Sequence, residues 1–270
     1  MGFFSQLDEA VKKNNSLLCV GLDPDPALMP PGVSVLDFNK AIIDATAGLV
    51  CAYKPNLAFY EAEGAKGWEI LKQTVEYIPK EMPVIADAKR GDIGNTARAY
   101  AKAIFDELGA GAVTVNPYLG FDAVEPFLNY RDKGVFILCR TSNAGAADFQ
   151  SLKVASDGEE LPLYQVIARK SREWNKFGNI GLVVGATYPD ELRLLRRAYP
   201  EMPFLIPGVG AQGGDLKLAV SYGKNAGGAG IIINSSRQVL YASRGKDFAQ
   251  AARAAAFKLR DEINFYRSKI

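Results

Sequence analysis

Histidine is absent from the 270-residue chain. Histidine is the commonest general base at neutral pH, a member of most nucleophilic triads and a frequent zinc ligand. Its absence therefore excludes each of those kinds of site. Any chemistry must come from carboxylates, lysine, arginine, tyrosine, hydroxyl groups or cysteine.

Cysteine is scarce, and long apolar runs are missing. The three cysteines, Cys19, Cys51 and Cys139, lie singly within apolar runs and have no CxxC spacing, so we expect buried thiols rather than disulfides or a metal site. Free thiols, the absence of a signal-peptide pattern and the lack of an apolar run of about 20 residues predict a cytoplasmic protein without a membrane span. A net charge of +2 makes nucleic acid an unexpected partner.

Eight short apolar runs alternate with amphipathic segments along the chain. The runs, predicted as buried parallel strands, span residues 17–21, 50–54, 83–87, 112–116, 135–140, 180–185, 204–209 and 230–234. Helices are predicted near residues 35–48, 63–78, 95–108, 122–132, 162–177, 189–198, 214–222 and 248–266, and residues 3–12 are predicted as a helix that caps the barrel bottom. The pattern predicts a single-domain (β/α)8 TIM barrel over residues 1–270.

A doubly wound open sheet is the alternative fold. Even spacing of the eight units and the lack of a GxGxxG motif after the first strand weigh against it. The longest stretch predicted to be irregular, residues 142–161, follows the fifth strand. Because catalytic residues of such barrels lie at the carboxyl ends of the strands, this long loop is a candidate part of the site.

Three charges cluster directly after the third predicted strand. Asp87 and Lys89 lie two residues apart and should face the same way, and Asp92 follows a turn at Gly91. Such charges are costly to collect near a core unless they pair or take part in chemistry. Opposite charges favour the protonated lysine, which suggests a cationic acid rather than an amine nucleophile. By strand alternation, Arg90 should point away from the site.

The segments after the seventh and eighth strands have the features of a barrel phosphate site. Glycines at 208, 210, 213 and 214 would let backbone N–H groups approach an anion, although they could equally form only a tight turn. Gln212 can donate from its amide, and Arg237 can hold a phosphate through two hydrogen bonds. The combination favours phosphate binding.

Further polar residues follow other strands at the same predicted rim. Lys54 and Asp23 are weak signals alone, because a lysine at a strand end is often only a solvated tip. Their position beside Asp87 and Lys89 makes them candidates for the site. Ser142 could cap a loop or could hydrogen-bond a planar polar ring.

The motifs closely resemble those of the orotidine 5′-phosphate decarboxylase family. The main one is Asp87-Ala88-Lys89-Arg90-Gly91-Asp92-Ile93-Gly94-Asn95-Thr96, in the form typical of its bacterial type 2 branch. Matching segments occur in the same order at residues 20–25, 54–56, 116–118, 141–143, 207–213 and 234–237. The resemblance implies a homodimeric barrel that converts orotidine 5′-phosphate to UMP and CO2, the last step of de novo UMP synthesis, with neither metal nor organic cofactor.

The resemblance also implies roles for the charged residues. Lys89 corresponds to the proton donor to C6 of the pyrimidine, and Asp87 to the carboxylate that faces the carboxylate of the substrate. Lys54 resembles a second lysine that contacts both this aspartate and the ribose. Asp92 and Thr96 resemble residues that reach across a dimer interface into the neighbouring site.

The remaining matches concern substrate binding. Asp23 resembles an acceptor for a ribose hydroxyl, and Ser142 resembles a group that hydrogen-bonds the pyrimidine ring. Gln212 and Arg237 resemble phosphate ligands. Two other functions stay open at this point: a metal-dependent sugar-phosphate decarboxylase on a related barrel, and a nucleotide-phosphate binder without catalytic activity.

Overall fold

Eight parallel strands form one sheet that curves into a barrel. The computed structural model describes residues 1–156, 158–210 and 213–269. The strands of the chain are β1 (Leu18–Leu22), β2 (Ala52–Pro55), β3 (Ile85–Arg90), β4 (Ala112–Val115), β5 (Gly134–Arg140), β6 (Lys153–Ser156), β7 (Glu159–Pro162), β8 (Ile180–Val184), β9 (Phe204–Ile206) and β10 (Ile231–Ser235). Their order in the main sheet is β2-β1-β10-β9-β8-β5-β4-β3, and β6 and β7 form a separate antiparallel pair. The predicted TIM barrel is therefore confirmed.

Helices cover the outside of the barrel. They are α1 (Phe3–Asn14), α2 (Val35–Thr46), α3 (Leu57–Glu61), α4 (Gly64–Tyr77), α5 (Gly94–Lys102), α6 (Phe121–Leu128), α7 (Leu163–Trp174), α8 (Pro189–Ala198), α9 (Leu216–Gly223), α10 (Arg237–Leu240) and α11 (Phe248–Arg267). A π-helical turn spans Ala103–Glu107 and a 3-10 turn spans Ala144–Asp148. None of the helices within the described ranges combines the length and apolar character that crossing a membrane requires.

The barrel closes between its two outermost strands, β2 and β3. Bridges pair Tyr53 with Val84 and Asn56 with Asp87, and the Tyr53 amide donates to the Pro83 carbonyl at 2.9 Å. The bridge between Asn56 and Asp87 lies just past the end of β2, two residues after Lys54. Closure of the sheet therefore brings Lys54 and Asp87 together from strands whose centres lie more than thirty residues apart.

The first helix packs under the amino ends of the strands, as the sequence predicts. The Phe3 amide donates to the Asp132 carbonyl just before β5, and the rings of Phe3 and Phe4 lie edge-on to Phe136 with centroids 6.0 and 5.7 Å away. This helix thus closes the end of the barrel opposite the predicted site.

The structure differs from the predicted local structure in three places. The stretch 142–161 is not irregular throughout, because it contains the 3-10 turn, all of β6 and most of β7. The short helix α3 was not predicted, since five residues are too few to show a helical period. The predicted helix 95–108 changes to a π-helical turn at Ala103, which side-chain periodicity alone does not reveal.

Candidate active site

A cavity of about 540 Å³ opens at the carboxyl ends of the barrel strands. Its volume is typical of a site for a small organic ligand. Six of the predicted site residues line it: Asp23, Lys54, Asp87, Lys89, Ser142 and Arg237. Asp92 and Thr96 are not among the lining residues, and the prediction for Gln212 concerns a position outside the described residues.

Two lysines and one aspartate form an ion-pair network on the cavity floor. The two oxygens of Asp87 are divided between the lysines: Lys54 Nζ lies 2.7 Å from Oδ2, and Lys89 Nζ lies 2.7 Å from Oδ1. The Lys54 side chain is only 4% exposed, whereas that of Lys89 is 51% exposed. Lys54 therefore anchors the carboxylate from inside, and Lys89 remains accessible to a ligand in the cavity.

The backbone at Lys89 is unusual. Its φ angle is +47°, a left-handed conformation that a residue with a side chain seldom adopts, and the pairing of β3 with β4 shifts register between Ala86 and Arg90. The buried Thr114 on β4 supports this bend, since its Oγ1 accepts from the Lys89 amide at 2.9 Å and donates to Asp87 Oδ1 at 3.0 Å. Such strain persists when surrounding contacts impose it, and it is common at functional sites.

Arg90 points away from the cavity, as predicted. It pairs with Glu61, and its guanidinium lies 5.0 Å from the ring centre of Tyr100. The irregularity in β3 thus leaves Asp87 and Lys89 on the cavity side and Arg90 outside.

Burial and charge act against each other in this network. Burial alone would raise the pKa of Asp87, but the charges and hydrogen bonds of Lys54 and Lys89 outweigh it and hold that pKa well below its usual range. Burial alone would lower the pKa of Lys54, but attraction to Asp87 and Asp23 raises it above its usual value. Asp87 and Lys54 therefore both stay charged at neutral pH.

The loop after β1 brings Asp23 to the cavity rim. The hydroxyl of Tyr241 donates to the Asp23 carbonyl at 2.8 Å and accepts from the Asp25 amide at 2.6 Å. Asp23 Oδ1 is buried and accepts no hydrogen bond from any residue in the described ranges. A buried acceptor without a partner is costly, which makes this carboxylate a candidate for binding a ligand hydroxyl.

The segment after β5 brings Ser142 to the opposite wall. Thr187 Oγ1 donates to the Ser142 carbonyl at 3.0 Å, and the Tyr188 hydroxyl donates to the Asn143 carbonyl at 3.3 Å. Gly185 leaves the space that this backbone needs, since a Cβ there would lie 2.7 Å from the Ser142 Cα. The residues that follow β8 therefore fix the position of the Ser142 backbone in the cavity wall.

The candidate phosphate side lies beyond β9 and β10. Gly208 and Gly210 have φ angles of +92° and +69°, so the tight turn after β9 needs glycine at both positions. Arg237 begins the short helix α10 and is exposed at the cavity edge, where its guanidinium forms no ion pair with any residue in the described part of the chain. A cation in this position is available to an anionic group of a ligand.

Asp92 and Thr96 are outside the cavity lining, in the segment that follows β3. Asp92 Oδ1 accepts from the Ile93 amide at 2.7 Å, and Thr96 is exposed in the first turn of α5. Within the described ranges, no ion pair joins Asp92 to Lys89. The sequence predicts that Lys89 lies between two aspartates. Within one chain of the structure, it pairs with Asp87 but not with Asp92.

Several residues of the site were not singled out in the sequence. Thr114 supports the charge network, and Tyr241 and Gln150 support the loops after β1 and β5. Only Thr114 could have been noticed in the sequence, as a polar residue within the apolar run 112–116.

The three cysteines are buried and unpaired, as predicted. The described residues contain no cluster of three or more His, Cys, Asp or Glu side chains suited to hold a metal.

The sequence motifs and the site geometry agree with a comparison against known families. Residues 16–255 match the sequence model of the orotidine 5′-phosphate decarboxylase / HUMPS family. The chain belongs to this family. The match spans all eight barrel strands, so it covers every element that contributes to the cavity.

Close relatives share the whole length of the chain. An orotidine 5′-phosphate decarboxylase of Dehalococcoides mccartyi strain 195 is 60% identical over 269 residues, covering 100% of both chains. One of Roseiflexus castenholzii is 55% identical over 270 residues and covers 98% of each.

Solved structures show the same fold. The OMP decarboxylase of Leishmania donovani superposes with a TM-score of 0.87 at 42% identity, over 100% of both chains. The UMP synthase of the same organism has a TM-score of 0.88 at 45% identity, and the match covers 99% of this chain and 57% of the synthase. In that longer protein, the barrel is one part of a larger chain.

The charge network predicts a stability change for Asp87→Asn. Loss of the carboxylate leaves Lys54 buried without its main counterion, so we expect the free energy of unfolding at pH 7 to fall by about 3 kcal/mol. Burial would then dominate and lower the pKa of Lys54 below its unfolded value of about 10.4. Stability of the variant should therefore rise with pH up to about 10, whereas the raised pKa of Lys54 in the unmodified protein gives no such rise.

Urea unfolding followed by circular dichroism between pH 6 and 10 measures both effects. Asp190→Asn is a matched control, because Asp190 pairs with Arg193 at 2.8 Å on the surface. That pair should contribute less than about 1 kcal/mol. An Asp87→Asn variant as stable as the control would show that the carboxylate does not hold the buried lysine.

Proposed function

We propose that this chain decarboxylates orotidine 5′-phosphate to UMP and CO2. The observation that carries the proposal is the Lys54–Asp87–Lys89 network in the cavity, where the carboxylate, only 11% exposed, is flanked by two ammonium groups at 2.7 Å. Family membership and full-length relatives that carry this activity in their names support the same reaction.

Lys89 is the proposed acid. Loss of CO2 from C6 leaves a carbanion that the ring does not delocalise well, so fixed positive charge is the available means of stabilising it. Lys89 Nζ lies against Asp87 Oδ1, and its side chain is half exposed in the cavity. We infer that this ammonium group stabilises the developing charge and then protonates C6.

Asp87 is proposed to face the carboxylate of the substrate. The lowered pKa of Asp87 keeps it negatively charged at neutral pH. Repulsion between the two carboxylates is relieved as CO2 leaves, while the attraction between Lys89 and the new carbanion increases. The same pair of side chains thus favours the transition state over the bound substrate.

Binding is proposed to be divided among three parts of the cavity. Asp23 and Lys54 would bind the ribose hydroxyls, Ser142 the pyrimidine edge, and Arg237, with Gln212, the phosphate. The phosphate group is remote from C6, so the free energy of binding it can be used to orient the ring.

A metal-dependent sugar-phosphate decarboxylase is the nearest rival. In this chain, both oxygens of Asp87 already contact ammonium groups, and Thr114 donates to one of them as well. A carboxylate so occupied is a poor metal ligand, which favours the reaction without a metal. In a binder without catalytic activity, no chemistry would require the strained backbone and half-exposed ammonium group of Lys89.

We further propose that the chain works as a homodimer in which Asp92 and Thr96 enter the neighbouring site. Asp92 lies beside an exposed apolar patch, defined here as Ile93, Tyr118 and Leu119, which are 50% exposed or more. The two halves of the patch are adjacent, because Gly91 packs against the Asn116 carbonyl so closely that a Cβ would lie 2.7 Å from it. A second copy covering this patch would remove it from water and bring Asp92 to a cavity.

The proposed reaction also bears on the domain organisation of the chain and on its location in the cell. We propose that residues 1–270 act as one catalytic domain, since strands from both halves of the chain line a single cavity. Synthesis of UMP for nucleotide pools, together with three buried free thiols, suits a cytoplasmic enzyme without organic cofactor or metal.

Lys89→Ala tests the proposed acid. The purified protein should decarboxylate orotidine 5′-phosphate equally well with and without EDTA, followed by the loss of pyrimidine absorbance. The variant should lose at least about 10³-fold in kcat, because it lacks both the charge and the proton. Its affinity for UMP, measured by calorimetry, should stay measurable because the phosphate and ring contacts remain.

Lys102→Ala is the control, since Lys102 is an exposed lysine on α5 whose Nζ lies 3.9 Å from Glu107. It should keep full activity. Near-normal turnover by Lys89→Ala, or activity abolished by EDTA, would contradict the proposed mechanism.

Mixed dimers test the shared site. Asp92→Ala and Lys89→Ala proteins should each be inactive alone. When they are unfolded together and refolded, the hybrid contains one cavity with both Asp92 and Lys89 intact, so about a quarter of all cavities should regain activity if subunits pair at random. Absence of any rescue, with dimers verified by ultracentrifugation, would show that Asp92 does not serve a neighbouring site.

A further inference from the structure

Behind the cavity wall, Gln150 holds Thr141, the residue before Ser142, by two hydrogen bonds. Its Oε1 accepts from the Thr141 amide at 2.8 Å, and its Nε2 donates to the Thr141 Oγ1 at 2.8 Å. The same Oγ1 donates to Asn143 Oδ1 at 2.7 Å. Gln150 is not among the residues that line the cavity, whereas Thr141, Ser142 and Asn143 are.

Arg140 fixes the orientation of the Gln150 amide. The Arg140 side chain is 2% exposed, and its Nη1 lies 3.4 Å from Gln150 Oε1. The guanidinium, which also lies 3.7 Å from Glu191 Oε1, and the Thr141 amide are both donors, so the amide oxygen of Gln150 faces them. The amide nitrogen is then directed at the Thr141 hydroxyl. The Arg140 guanidinium also lies 3.5 Å from the ring centre of Tyr188.

These contacts form a closed ring around Ser142. Tyr188 packs on Arg140 and donates through its hydroxyl to the Asn143 carbonyl, while Gln150 holds Thr141 on the other side. The backbone of Gln150 is itself fixed, because its amide donates to the Ala146 carbonyl at 2.9 Å. The side chain of Gln150 is therefore a rigid support for the cavity wall.

We propose that Gln150 is a positioning residue for pyrimidine recognition. It does not touch the substrate but holds Thr141–Asn143 where their polar groups meet the edge of the ring. The partly buried contacts between Gln150 and Thr141 matter because a small displacement of a binding group lowers affinity steeply. The inference rests on the proposed function, and it adds a residue that recognises the base indirectly.

Gln150→Leu removes both hydrogen bonds at nearly constant size. We expect the affinity for UMP to fall at least about tenfold, the effect of one to two lost hydrogen bonds. Affinity for ribose 5-phosphate should change less than about twofold, since its ribose and phosphate groups are proposed to bind near Asp23, Lys54 and Arg237, away from Gln150. The value of kcat/KM for orotidine 5′-phosphate should fall with the UMP affinity. Calorimetry measures the affinities of the variant for UMP and for ribose 5-phosphate, and the two changes are then compared.

Three further variants separate positioning from general stability. Gln150→Glu keeps an acceptor for the Thr141 amide and for Arg140 but loses the donor to Thr141 Oγ1, so its UMP affinity should lie between those of the unmodified protein and Gln150→Leu. Gln73→Leu makes the same change on the surface of α4, where the side chain donates to Glu69 at 2.7 Å, and should change neither affinity. If Gln150→Leu does not fold, Thr141→Val removes the hydroxyl that Gln150 holds and should weaken UMP selectively.

The outcomes distinguish this inference from the proposed function. An active unmodified protein whose Gln150→Leu variant binds UMP normally contradicts the role of Gln150 alone. An equal loss of affinity for UMP and ribose 5-phosphate also contradicts it, because it shows general damage to the cavity. An unmodified protein that neither decarboxylates orotidine 5′-phosphate nor binds UMP contradicts the proposed function, and the inference with it.

Discussion

The ion pairs of Asp87 with Lys54 and Lys89 are the interaction on which the rest of the site depends. They lie where β2 and β3 close the barrel, so the fold and the charge network require each other. Burial opposes each charge separately, and only their proximity keeps both the Asp87 carboxylate and the Lys54 ammonium ionised. The barrel thus provides fixed charges in a partly dry cavity, which is the arrangement that stabilises a carbanion most effectively.

Other parts of the site position groups around this network. Thr114 supports the strained backbone of Lys89 from the next strand. Tyr241, which directly follows α10, ties the loop that carries Asp23 to this helix, whose first residue is Arg237. The ring of contacts through Gln150 supports the wall that carries Ser142. Thr114 and Tyr241 line the cavity themselves, whereas Gln150 lies behind its wall. The cavity can therefore keep its shape although most of its polar groups lie on loops.

The sequence was sufficient for the barrel and for Lys54, Asp87 and Lys89, whereas Asp92 is not among the residues that line the cavity of its own chain. Its eight apolar runs gave the eight strands, and the spacing of Asp87 and Lys89 indicated a shared direction. It was insufficient where structure depends on contacts between distant segments. The register shift in β3, the left-handed Lys89 and the support by Thr114 arise from pairing with β4. The β6–β7 pair was missed because short exposed strands with mixed charges have no apolar alternation to reveal them.

The ionisation of Asp87 tests the central claim most directly. Carboxyl ¹³C NMR of protein with labelled aspartate, with the Asp87 signal assigned by its loss in Asp87→Asn, follows this group as the pH changes. The account predicts a signal of ionised carboxylate that does not move between pH 9 and pH 4, because the pKa of Asp87 lies well below the usual value of about 4. A signal that titrates within that range would contradict the account, since Asp87 would then be neutral for part of the range in which the network is proposed to act.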